Sequence, residues 1–145
     1  MRLLNIHERL IARPLPEIFG ELAALGTAAD RIWPDPKLPF RRAAGPLRVG
    51  ATWERHGTIR AILDSYEPNR RIVWRADLSF LRGTHTFEVR QAERGLTLVR
   101  HIIQADITWW FAPVWRLYVS GIHDRILEGL LDRLADGAPS TESGT

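Results

Sequence analysis

From Leu47 to Ile107 apolar side chains recur at every second position, and from Ala112 to Ala135 at every third or fourth. That single change of period organises the chain. Residues 3–13 also alternate, with Leu4, Ile6, Glu8, Leu10 and Ala12 on one side and Asn5, His7, Arg9 and Ile11 on the other. They predict a strand that Pro14 and Pro16 stop. Ile18, Phe19, Leu22, Ala23 and Leu25 follow at helical spacing up to Gly26, with Pro16 suited to the first turn. Residues 27–33 are read as a second short helix, and Pro34, Pro36 and Pro39 make the stretch to Gly45 a loop.

Residues 47–56 and 58–67 predict a hairpin turning at His56-Gly57, and residues 71–80 a strand after the turn Glu67-Pro68-Asn69. Residues 83–92 and 96–107 make a further hairpin through Glu93-Arg94-Gly95. Short turns between successive strands require antiparallel pairing. In the final helix, Trp115, Val119, Ile122, Ile126, Leu127, Leu130 and Leu134 cover one face, while Asp124, Arg125, Glu128 and Asp132 occupy the other. The expected fold is α+β: a curved antiparallel sheet of six or seven strands wrapped on a long C-terminal helix, with two short helices after the first strand. Residues 1–136 form one domain in this reading, and the tail 137–145, GAPSTESGT, has nothing to bury and is expected to be flexible.

The chain has 145 residues, 45% hydrophobic and 26% charged, which suits one globular domain and excludes a disordered or collagen-like one. Cysteine is absent, so disulfides, thiolate metal sites and a cysteine nucleophile are excluded. The formal charge is +3, and Lys37 is the only lysine, so the high isoelectric point reflects arginines that never titrate. The basic residues are interspersed with acidic ones rather than gathered in long runs, which argues against nucleic acid as a partner. No stretch approaches 18 apolar residues, so no membrane span is expected, and without a signal-peptide pattern the expected location is the cytoplasm.

Several local motifs resemble the helix-grip superfamily, also called START-like or polyketide-cyclase-like (SRPBCC). They are Ile11-Ala12-Arg13-Pro14-Leu15-Pro16-Glu17-Ile18-Phe19, Val49-Gly50, Tyr66-Glu67-Pro68-Asn69-Arg70-Arg71 and Gly95-Leu96-Thr97-Leu98-Val99. Trp33-Pro34, His56-Gly57-Thr58-Ile59-Arg60, Gly83-Thr84-His85-Thr86-Phe87, Arg100-His101 and His123-Asp124 through Leu127-Glu128 resemble a bacterial branch of it. The resemblance spans residues 3–136 and implies a cavity between sheet and helix. It does not single out a function, because the superfamily hosts carriers, receptors and cyclases alike.

Periodicity points three histidines into that interior. His85 alternates with Phe87 and Val89, His101 with Val99 and Ile103, and His123 lies within the apolar arc of the last helix. Across the last hairpin, Phe87 should oppose His101 and His85 should oppose Ile103, making the two imidazoles diagonal neighbours. Two readings fit: core histidines hydrogen-bonded to backbone, or a pocket in which they orient a ligand carbonyl or hydroxyl. Trp53 and Trp74 on apolar strand faces, with Phe87 and Val119, would give that pocket aromatic and aliphatic walls. Three histidines are ligand types suited to zinc, but no H-x-H or H-E-x-x-H spacing is present, so neither a metal nor a cofactor is expected.

His7 falls on the polar side of its strand and reads as solvated. His56 and Arg60 belong to the resembling motifs and share even parity. Asp124 and Glu128 read as surface or loop-contact residues rather than paired catalytic carboxylates. The chain has no G-x-S-x-G, G-x-G-x-x-G or P-loop.

The expected function is binding of an apolar, ring-containing or lipid-like small molecule. The alternative is a cyclase- or dehydratase-like enzyme whose pocket histidines move protons, with catalytic residues not assigned. A protein-interaction module with a filled cavity is a third possibility. Leu98, Ile102 and Val73 on the outward parity suggest a weak homodimer.

Overall fold

In the computed structural model, which describes residues 1–137, the sequence-predicted architecture is present with local changes. The elements are β1 (Arg2–Ile11), α1 (Leu15–Ala23), β2 (Phe40–Arg42), β3 (Trp53–His56), β4 (Ile59–Glu67), β5 (Arg71–Asp77), β6 (Leu81–Glu93) and β7 (Leu96–Ile107). A C-terminal helix follows as α2 (Phe111–Val114), a π-helical turn (Trp115–Val119) and α3 (Ser120–Asp136). The seven strands form one curved antiparallel sheet in the order β1-β7-β6-β5-β4-β3-β2. Beyond Gly137, the expected flexible tail lies outside the described residues.

The second short helix expected over 27–33 is absent. Asp30 explains this: its carboxylate accepts from the backbone N–H groups of Gly26, Ile32 and Trp33, offering the chain a turn in place of helical bonds. The proline-rich loop contains a strand the pattern did not reveal, since β2 pairs Phe40 with His56 and Arg42 with Glu54. The strand expected over 47–56 shortens to 53–56, preceded by turns.

The β6–β7 hairpin has the predicted register, Val89 opposite Val99, Phe87 opposite His101 and His85 opposite Ile103. It reaches it by a different route. The turn is the two residues Arg94 and Gly95, and a bulge at Ala92 restores the phase that a three-residue turn would have given.

Helix α3 lays Ile126, Leu127, Leu130, Leu131 and Leu134 on the sheet, where they join Leu63, Ile72, Trp74, Phe87, Val89 and Val99 in the core. The guanidinium of Arg13 holds the helix end, donating to the carbonyl of Leu134 at 2.7 Å while Glu21 accepts from it at 3.0 and 3.1 Å. On the inward face the small residues Ala76, Gly83 and Ala105 lie side by side across β5, β6 and β7, hollowing the sheet surface at that level.

Gly83 is required there. A Cβ at this position would sit 2.2 Å from the carbonyl oxygen of Gln104 and 2.4 Å from Cα of Ala105. Both are backbone atoms that cannot move without disturbing the β6–β7 pairing. Gly83→Ala should therefore cost about 1–3 kcal/mol or more in urea unfolding, the range for overpacking. An unchanged midpoint would show that the strands can separate freely at this point.

The first strand turns the opposite way from the simple reading. Asn5, His7 and Arg9 face the helix, whereas Leu4, Ile6 and Leu10 are exposed on the outer face beside Leu98 and Ile102. The polar side is inward because α3 presents acids to it. Asn5 Nδ2 donates to Asp124 (3.1 Å), His7 meets Asp124 and Glu128 (both 2.8 Å), and Arg9 donates to Glu128 (2.5 Å) and to Asp132. Alternate strand positions advance about 6.8 Å and every fourth helix residue about 6.0 Å, so the two periods match closely enough for three rungs.

Candidate functional site

Between sheet and C-terminal helix lies a cavity of about 340 Å³. Its walls include Trp33, Phe40, Phe80, Phe87, Phe111 and Trp115, with Val119 and Ile122 from the helix. His56, His85, His101 and His123 also line it. Of the expected pocket residues, His85, His101, His123, Phe87 and Val119 are thus brought together. Trp74 is buried beside them on the same sheet face, as the cross-strand partner of His85 with ring centroids 6.5 Å apart, and does not line the cavity.

Trp53 is not part of this site. It is exposed on the outer face, because the inward parity of β3 belongs to Glu54 and His56. Arg60 is likewise exposed, opposite Arg55. The reading of His7 as solvated is also corrected: only 12% of its side chain is accessible, between two carboxylates.

All five histidines of the chain form one row. Ring centroids are separated by 6.0 Å from His56 to His85, 5.5 Å to His101, 5.4 Å to His123 and 5.8 Å to His7. The sheet accounts for part of the row directly, since His7 and His101 are cross-strand partners and His85 lies diagonally from His101. His56 is packed against Phe40 across the β2–β3 pair, with rings nearly parallel at 5.5 Å.

Acid meets the row toward each end. Near one end Glu54, wholly buried, accepts its hydrogen bond from Nε2 of His85, the second ring of the row. A carboxylate removed from water needs a partner, and this imidazole is the one it has. Glu54 escaped the sequence reading because a carboxylate in an alternating strand is taken to face water. Its parity with His56 was the available signal. At the other end stand Asp124 and Glu128 around His7.

Nδ1 of His56, His85, His101 and His123 is enclosed and has no hydrogen-bond partner among the described residues. Burial penalises the charged imidazolium and pushes His56 down, His101 well down and His123 down to about 4, with neighbouring imidazoles adding to the effect at His101 and His123. Neutral rings can both donate and accept, so the cavity offers an apolar enclosure with polar edges at chosen points.

These depressed values make folding pH-dependent. The unfolded imidazoles take up protons near pH 6.5, whereas the folded ones resist until much lower. Their stabilising contribution is complete above about pH 6.5 and is lost as pH falls through the folded values, toward about 4 for His123. Urea midpoints of chelator-treated protein should fall between pH 7.5 and 5.5, with a smaller drop in His101→Leu. A flat profile over that interval would contradict the burial of these rings.

The outer face carries a shallow groove with Arg70, Arg71, Arg90 and Arg100. Glu67 pairs with the first two and Glu8 with Arg100, so its charge is largely internally answered. No helix among the described residues is long and apolar enough to cross a membrane.

No family model and no curated protein matches the chain. Solved structures do. A protein of Nitrosospira multiformis is 12% identical with a TM-score of 0.68, covering 95% of this chain and 97% of that one. The di-domain ARO/CYC protein StfQ of the steffimycin biosynthetic pathway is 15% identical with a TM-score of 0.69 over 93% of this chain, which spans half of StfQ. Norcoclaurine synthase of Thalictrum flavum is 12% identical with a TM-score of 0.68, covering 94% and 93% of the two chains. Identities this low speak for backbone and topology alone, and on both counts this chain has the helix-grip fold.

Proposed function

We propose that the protein binds an apolar small molecule, ring-containing or lipid-like, in the cavity between sheet and helix. The carrying observation is a mostly apolar cavity of about 340 Å³ that contains four histidine side chains. That volume lies in the range of small-molecule sites. A core filled only for stability would have closed over the hollow left by Ala76, Gly83 and Ala105. A flat ligand would meet the aromatic walls while a carbonyl or hydroxyl engages the imidazole edges.

The test uses anilinonaphthalene sulfonate as the probe and native mass spectrometry on gently purified protein. Saturable enhancement of probe fluorescence, reduced in the cavity-filling Ala76→Leu protein, is expected. Folded protein that neither enhances the probe nor carries a co-purified small molecule would overturn the reading in favour of a filled module.

A second reading, enzymatic, is favoured by the buried Glu54–His85 pair. A carboxylate that holds one imidazole nitrogen sets ring orientation and tautomer, which is how an acid–base histidine is prepared. In a cyclase-like step His85, with Nε2 held by Glu54, would take a proton through Nδ1 from a carbon beside one ligand carbonyl. That carbon would bond to the carbon of a second carbonyl as its C=O π bond opens, and the proton would return to the alkoxide oxygen so formed. The structures of StfQ and norcoclaurine synthase share this fold, which supports the class of reaction without naming a substrate. A weak homodimer belongs to the proposal too. Leu4, Ile6 and Leu10 with Leu98 and Ile102 supply the apolar surface it would bury, and light scattering showing only monomer at high micromolar concentration would remove it.

A further inference from the structure

We infer that His7, His123 and Asp124 form a binding site for a divalent d-block cation of the zinc type, at the β1–α3 end of the histidine row. Nε2 of His7 lies 2.8 Å from Oδ1 of Asp124, Nδ1 of His123 lies 3.6 Å from the same oxygen, and the three ligand atoms fall within 4.8 Å of one another. Ligands at zinc bond lengths in a tetrahedral set are about 3.3 Å apart, so small side-chain adjustments bring all three to one ion. Two imidazole nitrogens and one carboxylate oxygen are a donor set that zinc accepts and that calcium or magnesium does not favour.

Two further features separate this cluster from a simple ion-pair ladder. A ladder accounts for His7, whose two nitrogens both meet carboxylates, yet it leaves Nδ1 of His123 enclosed without a hydrogen bond, 3.6 Å from an oxygen of Asp124 and so beyond hydrogen-bond distance. A cation in the gap would satisfy it. The other nitrogen of His7 lies 2.8 Å from Glu128, and Arg9 donates to that carboxylate at 2.5 Å. A carboxylate behind a ligating imidazole, itself held by a further group, is the outer support that fixes a metal ligand's tautomer and direction. The spacing rules of sequence motifs could not show this site, because its ligands come from the first strand and the last helix.

The inference stands independently of what occupies the cavity, although His123 belongs to both. With Nδ1 of His123 on a cation, its Nε2 must carry the remaining ring proton, which would turn that residue into a fixed donor.

The test is made on the untagged full-length chain, stripped with a chelator and loaded with Zn²⁺ or Co²⁺. About one equivalent of zinc should survive desalting, the melting temperature should rise with free zinc, and Co²⁺ should show the intense visible bands of a four- or five-coordinate N/O site. His123→Asn and His7→Asn should abolish retention, Glu128→Gln should weaken it about 10–100-fold, and Asp64→Asn on the outer face should not change it. A wild-type Co²⁺ spectrum identical to the aquo ion would overturn the inference without recourse to any variant. So would zinc retention undiminished in His123→Asn.

Discussion

A chain ending at Ala112 should fail to fold. The deletion removes Ile126, Leu127, Leu130, Leu131 and Leu134, all buried against the sheet. At about 1.5–3 kcal/mol for each buried aliphatic side chain, their loss is on the order of 10 kcal/mol. That is comparable with the entire stability of a typical domain, about 5–15 kcal/mol. The deletion also strips the acids from Asn5, His7 and Arg9, so the sheet would lose its apolar cover and its polar rungs together. Circular dichroism melts should show no cooperative transition, and a sharp melt in the truncated chain would refute the grip as the source of stability. Leu130→Ala, at a fully buried position, grades the same effect at about 2–5 kcal/mol.

Replacing Glu54 by alanine should cost about 1–3 kcal/mol, because it leaves Nε2 of His85 buried without its hydrogen-bond partner. Glu54→Gln should cost less, because its carbonyl oxygen can still accept from Nε2 of His85. The paired change Glu54→Leu with His85→Leu should recover much of the loss, as nothing polar is then left alone. Urea unfolding of the single and double variants measures the coupling directly. A double variant as unstable as the sum of the singles would mean that the two residues act separately.

Where neighbouring strands share one hairpin, the pattern was easy to read: the partners of Phe87 and His85 followed from parity and a short turn, while His123 was directed to the same interior by the periodicity of its own helix. Legibility failed wherever an inward face is polar. Glu54 and His56 alternate with Trp53, so the tryptophan claimed the apolar side on composition alone. Asn5, His7 and Arg9 looked solvated because their partners lie more than a hundred residues away, on a helix face that also looked solvated. Each polar surface is satisfied by the other, and hydropathy cannot register that complementarity in either one. Strand β2 escaped for a local reason: three residues between prolines carry too little periodicity to stand out.

The position of β1 at the sheet edge also bears on how this chain is made. Among the described residues its sole strand neighbour is β7, with Ile6 opposite Ile102 and His7 opposite His101. On the ribosome the first strand to emerge therefore waits for nearly the whole domain to be synthesised before it can pair. Throughout that interval Leu4, Ile6 and Leu10 are carried on an unpaired backbone edge, the combination most prone to join a neighbouring nascent chain. Non-local closure of this kind is slow. Glu8 and Arg9, set within the same strand, place charge where such a misjoining would begin.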